Sequence, residues 1–235
     1  MPKIQESGRG GLLPHPNESK ALSRRKFLGY TGLAATLVVG IASCDKDDSP
    51  SMDGDRINLG SGDIGILNYA YALEQLEAAF YTRVLMNPYS GGSAMEMALM
   101  ADIRDHEIAH REFFKTALGS SGIRELEFDF SSINFSNRDS VLSAAKTFED
   151  LGVQAYNGAG KLIADPNYLV LAGKIVSVEA RHAAWIRDVI SNGSFADNTV
   201  IDANGLDMSK DPADVLMAAN SFLVTKVTGS ALPTS

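Results

Sequence analysis

Cysteine is nearly absent from this chain, since Cys44 is the only one among 235 residues. A single thiol excludes an internal disulfide framework and a metal cluster held by several thiolates. A metal site in this chain would have to use carboxylates and imidazoles instead. With 45% hydrophobic and 8% aromatic residues the chain can still bury a full core, and its length suits one domain with accessory segments.

Positive charge is also scarce beyond the N-terminal segment. The first 44 residues hold six Lys and Arg against two Glu, so the rest of the chain holds 15 basic and 27 acidic residues, a net charge of −12. No basic stripe remains that could follow a phosphate backbone. The sequence therefore predicts no nucleic-acid partner.

A basic segment followed by a short apolar segment marks the N-terminal region. Residues 23–28 read Ser-Arg-Arg-Lys-Phe-Leu, and a mildly apolar run follows over residues 30–43. The run is too short and too rich in glycine for a comfortable membrane span. The whole segment resembles a twin-arginine export signal. An ordinary N-terminal anchor is the alternative.

Cys44 closes this run in the sequence Ile-Ala-Ser-Cys, which resembles a lipobox. Cleavage of residues 1–43 and acylation of Cys44 would hold the mature protein to a membrane. The sequence thus predicts export by the twin-arginine pathway and a lipoprotein on the periplasmic or surface side of the cell envelope. Residues 45–60 follow as a predicted flexible tether, because this segment begins with charged and polar residues broken by proline.

Four long helices are predicted from apolar residues at helical spacing. They cover residues 63–87, 93–118, 138–163 and 166–192. Each would be about 37 Å long, and the short turns within each half predict two antiparallel hairpins. The fold class is therefore all-α, with a four-helix bundle over residues 61–193.

The connections complete the predicted topology. About 18 residues, 120–137, separate the second and third helices, and an extended segment of that length could reach roughly 60 Å. This long crossover could run the length of the bundle. Residues 194–235 form a loop-like extension with one short amphipathic helix near residues 212–222. We expect that helix to act as a lid or buttress on the bundle. The alternative is that it forms the contact between two copies in a homodimer.

Two Glu-x-x-His motifs lie on the second and fourth predicted helices. Glu107 is followed by His110, and Glu179 by His182. Residues three apart on a helix share one face, so each pair could bind one metal ion. A lone motif of this kind is usually a surface pair, but two copies in one chain favour a shared site.

A second pattern precedes each motif on the neighbouring helix. Glu74 is followed seven residues later by Tyr81, and Glu149 by Tyr156. Each of the four helices therefore contributes one glutamate, 13 or 14 residues from the turn of its own hairpin. At 1.5 Å per residue all four carboxylates lie about 20 Å from those turns, which places them at one level of the bundle.

These four segments together resemble the ferritin-like superfamily of di-iron or di-manganese carboxylate proteins. They read LEQLEAAFY over residues 73–81, HEIAH over 106–110, FEDLG over 148–152 and VEARH over 178–182. Within the superfamily the similarity is greatest to bacterial ferritin-like domain proteins, which include desiccation-related relatives, and it covers about residues 60–192.

The resemblance implies a complete set of ligands for two metal ions. It implies terminal or bridging carboxylates from Glu74 and Glu149, bridging carboxylates from Glu107 and Glu179, and one imidazole per metal from His110 and His182. Carboxylates clustered without a metal would raise one another's pKa values, whereas two divalent cations would neutralise all four. Ligands of this kind favour iron first and manganese second, although zinc could also bind.

Several neighbouring side chains have more than one interpretation. Glu77 competes with Glu74 as a ligand, but superposing the two halves places Glu77 opposite Gly152 and favours a supporting or mobile carboxylate. Tyr81 and Tyr156 are either ordinary core aromatics or hydrogen-bond donors to a ligand carboxylate. His106 is expected to point away from the site and to be structural.

The leading functional hypothesis is redox chemistry with dioxygen or peroxide at two metal ions, of a ferroxidase, peroxidase or catalase type. Hydrocarbon oxidation is disfavoured because no substrate tunnel can be recognised in the sequence. The main alternative is a non-catalytic stress-related lipoprotein whose helices are held together by metal. A lipoprotein scaffold without bound metal is a third hypothesis.

Overall fold

The computed structural model describes residues 51–234. The predicted export signal, Cys44 and the first part of the predicted tether lie outside the described residues. Within the described part of the chain, no helix has both the length and the apolar character needed to span a bilayer.

Four long helices form the described domain: α1 (Gly62–Met86), α2 (Ala94–Leu118), α3 (Arg138–Gly160) and α4 (Pro166–Ile190). Helix α1 packs mainly against α2, and α3 against α4. The predicted helices, their pairing and the long connection between α2 and α3 are confirmed, with ends that differ by three residues or fewer.

Side-chain caps fix where three of these helices begin. Ser93, Asn137 and Asp165 each accept a backbone N–H bond from the first turn of α2, α3 and α4 respectively. Pro166 follows its cap directly and suits the first helical position, where no N–H donor is needed. Each of these three helices therefore begins at a residue that its local sequence specifies.

Helix α1 is the centre of the domain, since 17 of its 25 residues are buried. Two of its buried amides bind the backbone of the crossover between α2 and α3. Asn68 Oδ1 accepts the Ile123 N–H, and Gln75 Oε1 accepts the Leu126 N–H, both at 2.8 Å. The crossover begins with a 3-10 turn (Gly119–Ser121) and then covers α1 without forming an α-helix of its own.

A small sheet adjoins the start of α1. Strand β1 (Ser51–Asp53) pairs antiparallel with β2 (Arg56–Asn58), and β3 (Val227–Thr228) pairs parallel with β2. The prediction of a flexible tether is wrong for residues 51–60. The physical reason is that β1 and β2 pair with one another, and that Ile57 and Leu59 at the end of the segment are almost fully buried in the core.

The C-terminal extension forms helix α5 (Pro212–Ala219), followed by one 3-10 turn (Asn220–Phe222). Helix α5 buries Val215 and Leu216 and contacts α3 and α1 of its own chain. The short helix is thus a buttress on the bundle, as one of the two interpretations expected.

Gly158 marks the point where the extension touches α3. A Cβ atom there would lie 1.8 Å from the carbonyl oxygen of Lys210, whereas nothing lies within 4 Å of a Cβ at Gly173 on α4. We expect Gly158→Ala to lower the free energy of unfolding by about 3 kcal/mol, because backbone must move. Gly173→Ala should raise it by up to about 1 kcal/mol through helix propensity. Urea denaturation measures both, and equal stability of the two variants would contradict this packing.

Candidate metal centre

The six side chains predicted as ligands meet inside the bundle. They form two overlapping groups whose ligand atoms lie within 4.8 Å of one another. One group is Glu74, Glu107, His110 and Glu179, and the other is Glu107, Glu149, Glu179 and His182. All four carboxylates are fully buried. Because Glu107 and Glu179 belong to both groups, they lie between two positions, while Glu74 and Glu149 each serve one.

The first position lies beside His110. Its Nδ1 atom is 2.9 Å from Glu179 Oε1, 3.3 Å from Glu74 Oε2 and 3.4 Å from Glu107 Oε2. Helices α1, α2 and α4 therefore direct three carboxylate oxygens and one imidazole nitrogen at a common point.

The second position lies beside His182 and repeats the arrangement. Its Nδ1 atom is 2.8 Å from Glu107 Oε1, 3.5 Å from Glu149 Oε2 and 3.7 Å from Glu179 Oε2. Glu107 and Glu179 each turn one oxygen to each imidazole. This is the disposition that two bridging carboxylates need.

The atoms that face these two positions lack hydrogen-bond partners. Within residues 51–234 eight buried ligand atoms have none: Glu74 Oε2, both oxygens of Glu107, His110 Nδ1, Glu149 Oε2, both oxygens of Glu179 and His182 Nδ1. They are close to one another but not aligned for hydrogen bonding. Leaving buried charged groups unpaired is costly, whereas divalent cations would satisfy all eight atoms. The residues present thus fit a pair of metal ions.

Two tyrosines hold the outer carboxylates in place. Tyr81 donates a hydrogen bond from its hydroxyl to Glu149 Oε1, and Tyr156 donates one to Glu74 Oε1. Each bond crosses between α1 and α3 and leaves the second carboxylate oxygen free to face an imidazole. Of the two interpretations of these tyrosines, the structure shows the hydrogen-bonded one.

Glu77 is a fifth buried carboxylate beside the cluster, but it contributes no atom to either group of ligands. Burial, reinforced by the charges of the other glutamates, raises its pKa well above the ordinary value. A Cβ atom at Gly152 would lie 3.0 Å from Glu77 Oε1. The glycine at the matching position of α3 therefore makes room for the Glu77 carboxylate.

Protons neutralise the cluster when no cation does. Burial alone would lower the pKa of His182, but the facing carboxylates, Glu149 foremost, raise it to about 12. Burial would raise the pKa of Glu179, yet the two imidazoles lower it to about 2. Burial raises the pKa of Glu107 and Glu149. Divalent cations would displace these protons, so metal binding and proton release are linked.

His106 contacts the cluster from outside, and the prediction that it points away is wrong. Its Nδ1 atom lies 2.9 Å from His182 Nε2, and the two rings stack at 6° with centroids 5.1 Å apart. The residue before Glu107 is turned by about 100° around α2, and that direction faces α4. Superposing the two motifs aligns His106 with Val178, so only the His106 side of the repeat carries this histidine.

Comparison with known proteins agrees with this geometry. The family model described as a ferritin-like domain matches residues 62–192, which include all four long helices and the whole cluster. A comparison with curated proteins gives no match. The match covers more than half of the chain, and the buried carboxylates and imidazoles could hold a pair of metal ions. The chain belongs to the ferritin-like domain family.

Proposed function

We propose that this protein is a di-metal carboxylate protein of the cell envelope that carries out redox chemistry with dioxygen or peroxide. The observation that carries the proposal is the set of eight buried ligand atoms without hydrogen-bond partners. Oxygen and imidazole ligands without thiolate favour iron, with manganese as the second choice.

Two bound ferrous ions would supply one electron each, enough to reduce dioxygen with two protons to hydrogen peroxide, or hydrogen peroxide with two protons to two waters. The chain's own contribution is rigid placement. Tyr81 and Tyr156 fix the outer carboxylates, and burial keeps bulk water away from the cluster. Placement of this kind lowers the reorganisation that a change of metal charge requires.

Iron loading tests the proposal. The loaded protein should hold two irons per chain, absorb as ferric protein in the near ultraviolet, bleach with reductant and recover with dioxygen or peroxide. Tightly bound zinc without any redox response would instead favour the structural alternative, in which the metals only hold the helices together.

The envelope location rests on the sequence of residues 23–28 and on Cys44 at the end of the apolar run. Acyl chains on Cys44 would anchor the protein to a membrane. The native protein should therefore need detergent for extraction. Cys44→Ala should move it to the soluble fraction, and a wild-type protein that is soluble without detergent would contradict the anchor.

His106 makes the two metal positions unequal. If His182 binds metal through Nδ1, its Nε2 carries a proton that His106 Nδ1 can accept, which fixes the ring. We expect His106→Ala to weaken one of two Mn²⁺ sites by about tenfold or more. Val178→Ala at the matching position is the control, and titration calorimetry measures both. Equal affinities in the two variants would contradict this positioning role.

A further inference from the structure

An apolar cavity lies inside the bundle next to the first metal position. Its walls come from all four long helices, and every lining residue is aliphatic or aromatic. Leu73 directly precedes Glu74, and Phe114 lies one helical turn beyond His110. Tyr156, another wall residue, donates its hydroxyl hydrogen bond to Glu74. The cavity therefore shares a wall with the Glu74–His110 position.

The size of the cavity limits what it can hold. Its volume is about 40 Å³, and one water-sized sphere needs about 10–15 Å³ on this scale. A molecule of two or three heavy atoms fits, whereas a long hydrocarbon or a ring system does not.

The lining selects against polar occupants. Hydrogen peroxide and water would lose their hydrogen bonds on entry, and hydrated metal ions would lose far more. Tyr69, a lining residue, has the one hydroxyl of the wall that is buried without a hydrogen-bond partner in the described part of the chain. A single donor replaces only one of the bonds that peroxide makes in water. Dioxygen makes no such bonds and loses nothing on entry.

We propose that this cavity binds dioxygen and that dioxygen, rather than peroxide, reaches the Glu74–His110 position through it. Binding of dioxygen in the cavity is a property of the protein alone, whereas its delivery to the Glu74–His110 position rests on the proposed redox function. Dioxygen binding explains why a wall free of charged groups lies beside a cluster of carboxylates. Metal binding alone does not explain that wall.

Xenon tests whether the cavity binds a small apolar gas, because apolar cavities bind xenon without any metal. Crystals of the metal-free full chain under xenon pressure should show one anomalous peak between Phe114 and Ala159. Ala159→Val on α3 should remove the peak by filling the space. Ala172→Val on α4 is a second blocking variant at a half-buried position, and Ala98→Val at an exposed position of α2 is the matched control.

Oxidation rates of the iron-loaded protein test whether dioxygen reaches the Glu74–His110 position through the cavity. Both blocking variants should slow oxidation by dioxygen about tenfold and leave oxidation by peroxide within a factor of about two. No xenon peak in the wild-type protein would overturn the inference. So would unchanged dioxygen rates, or equal slowing with both oxidants. Wild-type protein that reacts with neither oxidant would overturn the proposed function and the oxidant assignment, and the xenon peak would then support gas binding alone.

Discussion

Replacing Glu149 by alanine should lower the metal content of the purified protein from two ions per chain to one or none. Glu149 Oε2 lies 3.5 Å from His182 Nδ1 and belongs to the second group of ligands only. The substitution removes one of four ligands from that position. It also leaves the carboxylates of Glu107 and Glu179 without a shared cation, which weakens the first position as well.

Two further variants separate loss of metal from loss of fold. Glu149→Ala leaves the buried Tyr81 hydroxyl without its acceptor, which costs about 1–3 kcal/mol of stability by itself. Glu149→Gln keeps an acceptor for Tyr81 and removes only the charge, and we expect it to fold normally with reduced metal content. Glu112→Ala on the exposed face of α2 is the control and should keep two ions. Two ions per chain in Glu149→Ala would contradict the assignment.

The stability of the metal-free protein should fall as the pH rises, and bound metal should abolish this dependence. The pKa values of His110 and His182 are raised by the facing carboxylates, to about 12 for His182. Burial raises those of Glu77, Glu107 and Glu149. Each of these groups keeps its proton in the folded chain after the unfolded chain has lost it. The stability that it contributes is complete below the ordinary pKa and is lost as the pH rises toward the folded value.

The stability that Glu179 contributes changes with pH in the opposite direction, and it does so in a lower pH range. Its lowered pKa gives stability above pH 4.5 that is lost as the pH falls toward about 2. Above pH 6.5 the imidazoles of His110 and His182 add their own loss to that of the buried carboxyl groups. At about 1.4 kcal/mol per proton and pH unit, the two imidazoles alone cost the metal-free protein roughly 4 kcal/mol between pH 6.5 and 8.

Calorimetric melting with and without Mn²⁺ measures this difference. The loss of about 4 kcal/mol by the metal-free protein between pH 6.5 and 8 corresponds to about 10 °C in Tm for a chain of this size. Mn²⁺ displaces the protons, so the Tm of the loaded protein should hold or rise over the same range. The gap between the two forms should therefore widen from pH 6.5 to 8. Parallel curves would mean that the cluster does not exchange protons for metal.

Much of the fold and of the candidate site could be predicted from short spacings. Glu-x-x-His motifs and the distance of each glutamate from its turn depend only on helix geometry, and that geometry hardly varies between proteins. Six ligand positions followed from these features because every one of them lies on a regular helix.

The features that the sequence did not reveal depend on contacts between distant segments. Strand β2 pairs with a segment about 170 residues later, and no local pattern in residues 51–60 specifies that partner. His106 reaches His182 only because α2 and α4 lie close to one another at this level. The apolar cavity is a gap among four helices, so no single helix shows it.

The most direct test of the account is an anomalous-scattering map of crystals of the full chain grown with Mn²⁺ or ferrous iron. We predict two metal peaks per chain inside the bundle, one beside His110 and the other beside His182, with Glu107 and Glu179 contacting both. A single peak, or peaks only on the protein surface, would contradict the claim that these six side chains hold a pair of metal ions.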